Sequence, residues 1–146
     1  MKKVRIVFWA FTIMIIAFLI ASPAINDFSA KEVTKNILLL PLPENTEVME
    51  KFSRAGKLTG NGNGMQYLGA VLIHSDLPLD ELNEYYSIYR KRQWDYIIEE
   101  QETQNIDIIE HGSFSFQTDI SGKGFYILYS WGDGKSPFKY FDLRGN

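Results

Sequence analysis

The chain has no cysteine among its 146 residues and only two histidines, His74 and His111. Without cysteine there is no disulfide to hold a small domain together, so the apolar core must carry its stability. A lipid-modified cysteine behind the N-terminal apolar run is excluded on the same ground. Neither histidine has a second histidine at helical spacing, the pattern a zinc site requires, and no nucleophile signature accompanies them. No Asn-x-Ser/Thr glycosylation acceptor occurs. Basic charge is also scarce. Fifteen Lys and Arg face eighteen Asp and Glu, and three of the basic residues (Lys2, Lys3, Arg5) precede the apolar run. The remainder holds 12 basic and 18 acidic residues, a net of −6, which argues against a nucleic-acid partner because phosphate binding needs basic clusters.

What the chain does have begins with Ile6 to Ala21, IVFWAFTIMIIAFLIA, in which only Thr12 is polar. Extended through Ser22-Pro23-Ala24-Ile25, a helix of residues 6–25 is long enough for a hydrocarbon core of about 30 Å. Two readings follow for residues 1–25. The run is longer than the usual signal-peptide core, which favours an uncleaved signal anchor. Ser22 and Ala24 nevertheless fit positions −3 and −1 of a cut before Ile25, which would release the rest as a secreted protein. Both readings carry the rest of the chain across the membrane and leave the basic N-terminus in the cytoplasm. An exported, cysteine-free, acidic domain fits a bacterial cell envelope better than a eukaryotic secreted module.

Residues 26–36 (NDFSAKEVTKN) read as a polar juxtamembrane spacer, and the extracytoplasmic domain is placed at 37–146. Ile37 to Leu40, followed by Pro41 and Pro43, reads as an extended or edge segment. Thr46 to Leu58 fits either a helix, by the spacing of Val48 and Phe52, or a strand, which Gly56 and the glycine loop favour, and Met65 to Ser75 is expected as a strand dense in β-branched and aromatic residues. Pro78 to Gln93 is expected as the main helix, with Leu79, Leu82, Tyr86 and Tyr89 on its apolar face. Its acidic start and basic end complement a helix dipole. Trp94 to Glu100 reads as a strand, Ser113 to Ile120 and Lys123 to Trp131 as a hairpin, and Phe138 to Phe141 as a short edge strand. The predicted class is α+β: an N-terminal membrane or signal helix, then one antiparallel sheet of about four to six strands with one main helix on a face.

Chemistry-bearing motifs are few. Gly132-Asp133-Gly134-Lys135-Ser136 ends like a phosphate loop, but Tyr129 stands where the first glycine is needed and too little chain follows for a helix. The segment reads as a turn. Paired carboxylates such as Asp80 with Glu84 are accounted for by the helix dipole, and Glu99-Glu100-Gln101-Glu102 by a solvated strand end. No catalytic residue, metal ligand or cofactor is therefore assigned.

The strongest binding candidate is Thr59 to Tyr67, TGNGNGMQY. Asn-Gly pairs make tight turns, yet two in tandem exceed what one turn requires. From Lys51 through Ser75 no acidic residue occurs, and Lys51, Arg54 and Lys57 lie in that window. Gly60, Asn61, Gly62, Asn63 and Gly64, with Lys57, could thus cradle an anion on backbone N–H groups. The absence of carboxylates within that window excludes calcium there. Tyr85, at the edge of the helical apolar stripe, is the candidate aromatic contact. These readings favour a non-enzymatic, membrane-tethered module that binds another protein or an envelope component. The competing reading is an envelope hydrolase or transferase acting on wall polymer through carboxylates or His74.

Overall fold

The computed structural model of the protein describes residues 2–145, the side chains of Lys2 and Lys3 excepted. The N-terminal element α1 is a single helix, Lys2–Leu38, of 37 residues. At 1.5 Å per residue it is about 55 Å long, nearly twice the ~30 Å hydrocarbon thickness of a bilayer. Its first half is apolar on every side, and all its large apolar side chains from Val4 to Ile20 face outward. It is long and apolar enough to cross a membrane.

The second half of α1 is different. The expected spacer, residues 26–36, continues the helix, as do Ile37 and Leu38, where an extended segment was expected. Ser22, Asn26, Ala30, Thr34 and Ile37 recur at steps of four, four, four and three and are all buried. This stripe is mostly small or polar, so apolar periodicity does not reveal it, but small residues let a helix approach a sheet closely. The approach is so close that a Cβ on Gly69 would lie 2.4 Å from the Thr34 backbone nitrogen. Thr34 Oγ1 completes the seam by donating to the Phe52 carbonyl at 2.9 Å.

Four strands form one antiparallel sheet in the order β1-β2-β4-β3, with β1 Thr46–Gly56, β2 Gln66–Ser75, β3 Ile97–Glu100 and β4 Phe125–Trp131. The class is α+β, as expected. Helix α2 spans Leu79–Ser87, with Leu82 and Tyr86 buried and Pro78 at the N-cap. One sheet face presents Val71, Ile73, Ile98, Tyr126 and Leu128 to α2 and to Ile37 of α1. The opposite face presents Leu68, Ala70, Leu72, Ile127 and Tyr129 to a long irregular segment carrying Ile106, Ile109 and Phe116. The sheet is thus the middle of three layers, with helices on one side and mostly non-repetitive chain on the other.

Three expectations are corrected. Helix α2 stops at Ser87, six residues before Gln93. The chain beyond it is drawn into a loop by Asp95, whose carboxylate accepts from both the Arg92 backbone N–H and its guanidinium. Tyr89 still packs against the α2 cluster from beyond the helix end.

Residues 113–120 do not pair with β4. β4 is apolar on both faces and takes the central place between β2 and β3, so both its edges are filled. Phe114 and Phe116 instead turn into the core, and Ser115 makes only an isolated bridge to Asn105. Phe138 to Phe141 is a turn, not an edge strand, closed by Phe141 N–H to the Phe138 carbonyl and followed by a short 3-10 turn at Leu143–Gly145.

Candidate functional site: a groove beside the helix

The glycine-rich loop joins β1 to β2, and its backbone donors are mostly engaged by the protein itself. The Gln66 side-chain oxygen accepts from Leu58 and Thr59 N–H at 2.7 and 2.8 Å. Gly60 N–H donates to a Glu110 carboxylate oxygen at 2.7 Å, and the His111 ring Nε2 lies 2.7 Å from the Gly60 carbonyl. Gly64 N–H donates to the Gly145 carbonyl, and Lys57 N–H to that of Arg144. An internal carboxylate, fifty residues away in sequence, therefore stands at the position foreseen for an external anion. Asn61, Gly62 and Asn63 are exposed and Lys57 is half-buried. Gly60 has φ +70°, a conformation that accounts for glycine there. The Arg54 guanidinium, one of the expected positive charges, stacks over the Phe114 ring on the irregular face.

Tyr85 is half-buried. Its ring packs edge-on against Tyr86 and its hydroxyl donates to the Pro41 carbonyl at 3.2 Å. It joins the 39–43 segment to α2 and is part of the core margin. His74 and Asp80 are not brought together around a cleft. His74 packs against Phe125 at the far end of β2 from Tyr67, about 23 Å along the strand, and Asp80 is exposed in the first turn of α2. Among the described residues, no three His, Asp or Glu side chains stand close enough to hold a metal ion.

The main concavity lies elsewhere. A groove of about 1400 Å³ runs between the second half of α1 and the loop that follows α2, where α2 ends too early to cover the sheet. Tyr67, Ser130 and Gly132 lie along its sheet side, Phe28, Glu32, Val33 and Asn36 along α1, and Arg92, Trp94, Tyr96 and Trp131 along the opposite side. Phe28 is 63% exposed and Trp94 40%, so both offer ring surface to an occupant. The Arg92–Asp95 ion pair, at 2.6 Å, braces the loop, and the same guanidinium stacks over Trp94. That pairing, opposed in part by burial, raises the affinity of the Arg92 guanidinium for its proton. Asp133 is paired with Lys135 at 2.6 Å, and its hydrogen bond from Lys135 holds the carboxyl below the ordinary range. Arg92, Asp95, Asp133 and Lys135 are thus fixed in ion pairs, Lys91 adds an exposed cation, and part of the reachable surface is aromatic. Neither tryptophan was singled out from sequence. The available signal was that two of the three tryptophans lie beyond the N-terminal apolar run, both at expected strand margins.

At the end nearer the apolar half of α1 the groove closes on a buried polar cluster. The Asn26 amide oxygen accepts from the Tyr67 hydroxyl at 2.9 Å and the Ser136 hydroxyl at 2.6 Å, while its amide nitrogen donates to Asp142 at 3.0 Å. Arg144 forks onto Asp142 and reaches both Asp27 and the Pro23 carbonyl. Burial alone would raise the Asp142 carboxyl. Hydrogen bonds from Arg144 and Asn26 outweigh it and hold the group at about 2. The hydrogen bond to Asp142 likewise raises Arg144 against the effect of burial, and burial pushes the Tyr67 phenol up, so it remains a donor. The C-terminal segment is in this way clasped to the helix at Pro23, Asn26 and Asp27.

Comparison with protein-family models, with curated proteins and with solved structures finds no match.

Proposed function

We propose that the protein is a membrane-anchored extracytoplasmic binding module in which the anchor is uncleaved and the groove beside it receives a segment of another envelope protein or polymer. The observation that carries this reading is the continuity of α1. Residues that would flank a signal-peptidase cut are helical, Ser22 is fully buried, and the Pro23 carbonyl is bonded to Arg144. A peptidase needs its substrate extended and accessible, whereas here the would-be cleavage site is part of the domain's packing. The basic residues Lys2, Lys3 and Arg5 ahead of the apolar run support a cytoplasmic N-terminus with the groove outside. Ion-paired charges beside exposed rings favour binding over turnover.

The test has two parts. Intact mass of the protein extracted from membranes should include residues 1–24; a mature species beginning at Ile25 would overturn the anchor. Photo-crosslinking residues placed at Trp94 and Trp131 in intact cells should trap a common partner that a residue at Ile88, exposed beyond α2, does not trap. Equal yields at all three positions would remove the groove from the proposal.

A further inference from the structure

The clasp has an apolar underside. The chain leaves the Asn26 level at Ser136 and returns to it at Asp142 and Arg144. Between these points the backbone stays near Asn26, whose amide donates to the Phe138 carbonyl at 3.4 Å, while the Phe138 and Phe141 rings reach along α1 to pack on Phe18, with centroids 5.0 and 4.6 Å away. Phe18 lies three residues inside the end of the apolar run at Ala21, about 4.5 Å below its margin. At this level Phe141 is 48% exposed, and its neighbours Tyr140 and Leu143 are 81% and 76% exposed. Lys139 holds its ammonium over the Tyr140 ring at 4.9 Å.

We propose that residues 138–143 form an interfacial wedge inserted in the outer leaflet, with the aromatic rings at the headgroup–acyl boundary and Lys139 directed at lipid phosphate. This rests on the uncleaved-anchor reading. The occupant is identified by continuity. Phe138 and Phe141 touch a side chain of the apolar run itself, so whatever surrounds Phe18 meets them too, and in an anchored protein that is lipid. Tyrosine and lysine are the residues that suit this depth, each with an apolar body and a polar tip. Asn26, Asp142 and Arg144 satisfy one another and Arg144 also satisfies the helical carbonyl of Pro23, which leaves the Lys139 ammonium as the wedge's charge for the headgroups. In water the same rings would be an uncovered apolar patch.

The absence of cysteine allows a direct test, because one introduced thiol labels one site. Full-length Tyr140→Cys, Ile13→Cys and Ile88→Cys variants would each carry an environment-sensitive fluorophore in phosphatidylcholine–phosphatidylglycerol vesicles containing nitroxide-labelled lipid. Ile13 reports the apolar run and Ile88 an exposed position just beyond α2. The wedge predicts that lipid nitroxide quenches Tyr140→Cys several-fold more than Ile88→Cys, with headgroup and shallow-chain labels most effective. Quenching at Ile13 but not at Tyr140, with aqueous iodide reaching Tyr140, would overturn the wedge and leave the anchor standing. Protection of Tyr140 from both lipid and iodide would overturn it in favour of a second protein copy. Loss of lipid quenching at Ile13 as well would show that the anchor reading had failed first.

Discussion

The two halves of α1 are one helix built under two opposite rules. Residues 4–20 place large apolar side chains all round the helix and bury none of them. Residues 22–37 bury a stripe of serine, asparagine, alanine and threonine, closed by Ile37, while leaving Phe28 and Leu38 exposed. In the first half, size and apolarity mark the outside, as expected where the surroundings are lipid. In the second, smallness and exact hydrogen-bond partnering mark the inside. Hydrophobicity alone therefore gives the correct interior in one half and the wrong one in the other.

This contrast can be broken at several points. The largest effect is expected from Gly69→Val, whose Cβ would lie 2.4 Å from the Thr34 backbone nitrogen, which a packed helix cannot yield. A loss of about 3 kcal/mol in denaturant unfolding of the detergent-solubilised chain is expected. A stability change below about 0.5 kcal/mol would mean that α1 does not pack there. Next, Asn26→Leu keeps the heavy-atom branching but strands the Tyr67 and Ser136 hydroxyls and takes one donor from Asp142. It should cost about 2 to 3 kcal/mol and increase hydrogen exchange at residues 136–145, whereas Ile25→Leu, one position away, should not.

A third effect depends on pH. The folded-state Asp142 carboxyl, at about 2, lies below its unfolded value of 3.8. A depressed carboxyl contributes stability that is complete above the unfolded value and is lost as pH falls through the folded one. The clasp should therefore weaken from about pH 4 down to about pH 2, by roughly 2 kcal/mol in all. Asp142→Asn should remove that part of the pH dependence, which thermal unfolding at a series of pH values would measure. The smallest effect is expected in the first half of α1. Ile13→Ala should change domain unfolding by less than about 0.5 kcal/mol, because its side chain touches only the surroundings. A larger loss there would show that the two halves are not governed separately.

The readable parts of the fold were those in which apolar pattern and local geometry agree. Leu82 and Tyr86 fall on the inner face of α2, and the paired strands β1 and β2 with their glycine connection stand where β-rich composition places them. The unreadable parts depend on distant partners. Asn26 is a core residue only because Tyr67, Ser136 and Asp142 arrive to satisfy it. Glu110 reaches Gly60 from across the chain, which no local acid-free window could reveal. The loop that replaces the expected last turns of α2 is tied by Asp95 to Arg92, a pairing outside the helical pattern. The aromatic groove was hidden for the same reason, since Phe28, Trp94 and Trp131 belong to three separate segments.

The clasp at Pro23 has a mechanical consequence. Proline removes the N–H that would tie the helix back one turn, so an isolated helix would hinge at this point. Here Arg144 holds the Pro23 carbonyl and Asp27, one turn later, with the same guanidinium, and so splints the joint from both sides. An eleven-residue flexible tether would let the domain wander by about 18 Å. In the anchored protein proposed above, the splinted helix works as a ruler and a compass: it sets the height of the groove over the bilayer and the direction in which it opens. A single residue inserted between Ala21 and Ser22 would lift the domain by about 1.5 Å and turn it by about 100° relative to the membrane segment. A partner anchored in the same membrane would then meet a different side of the domain.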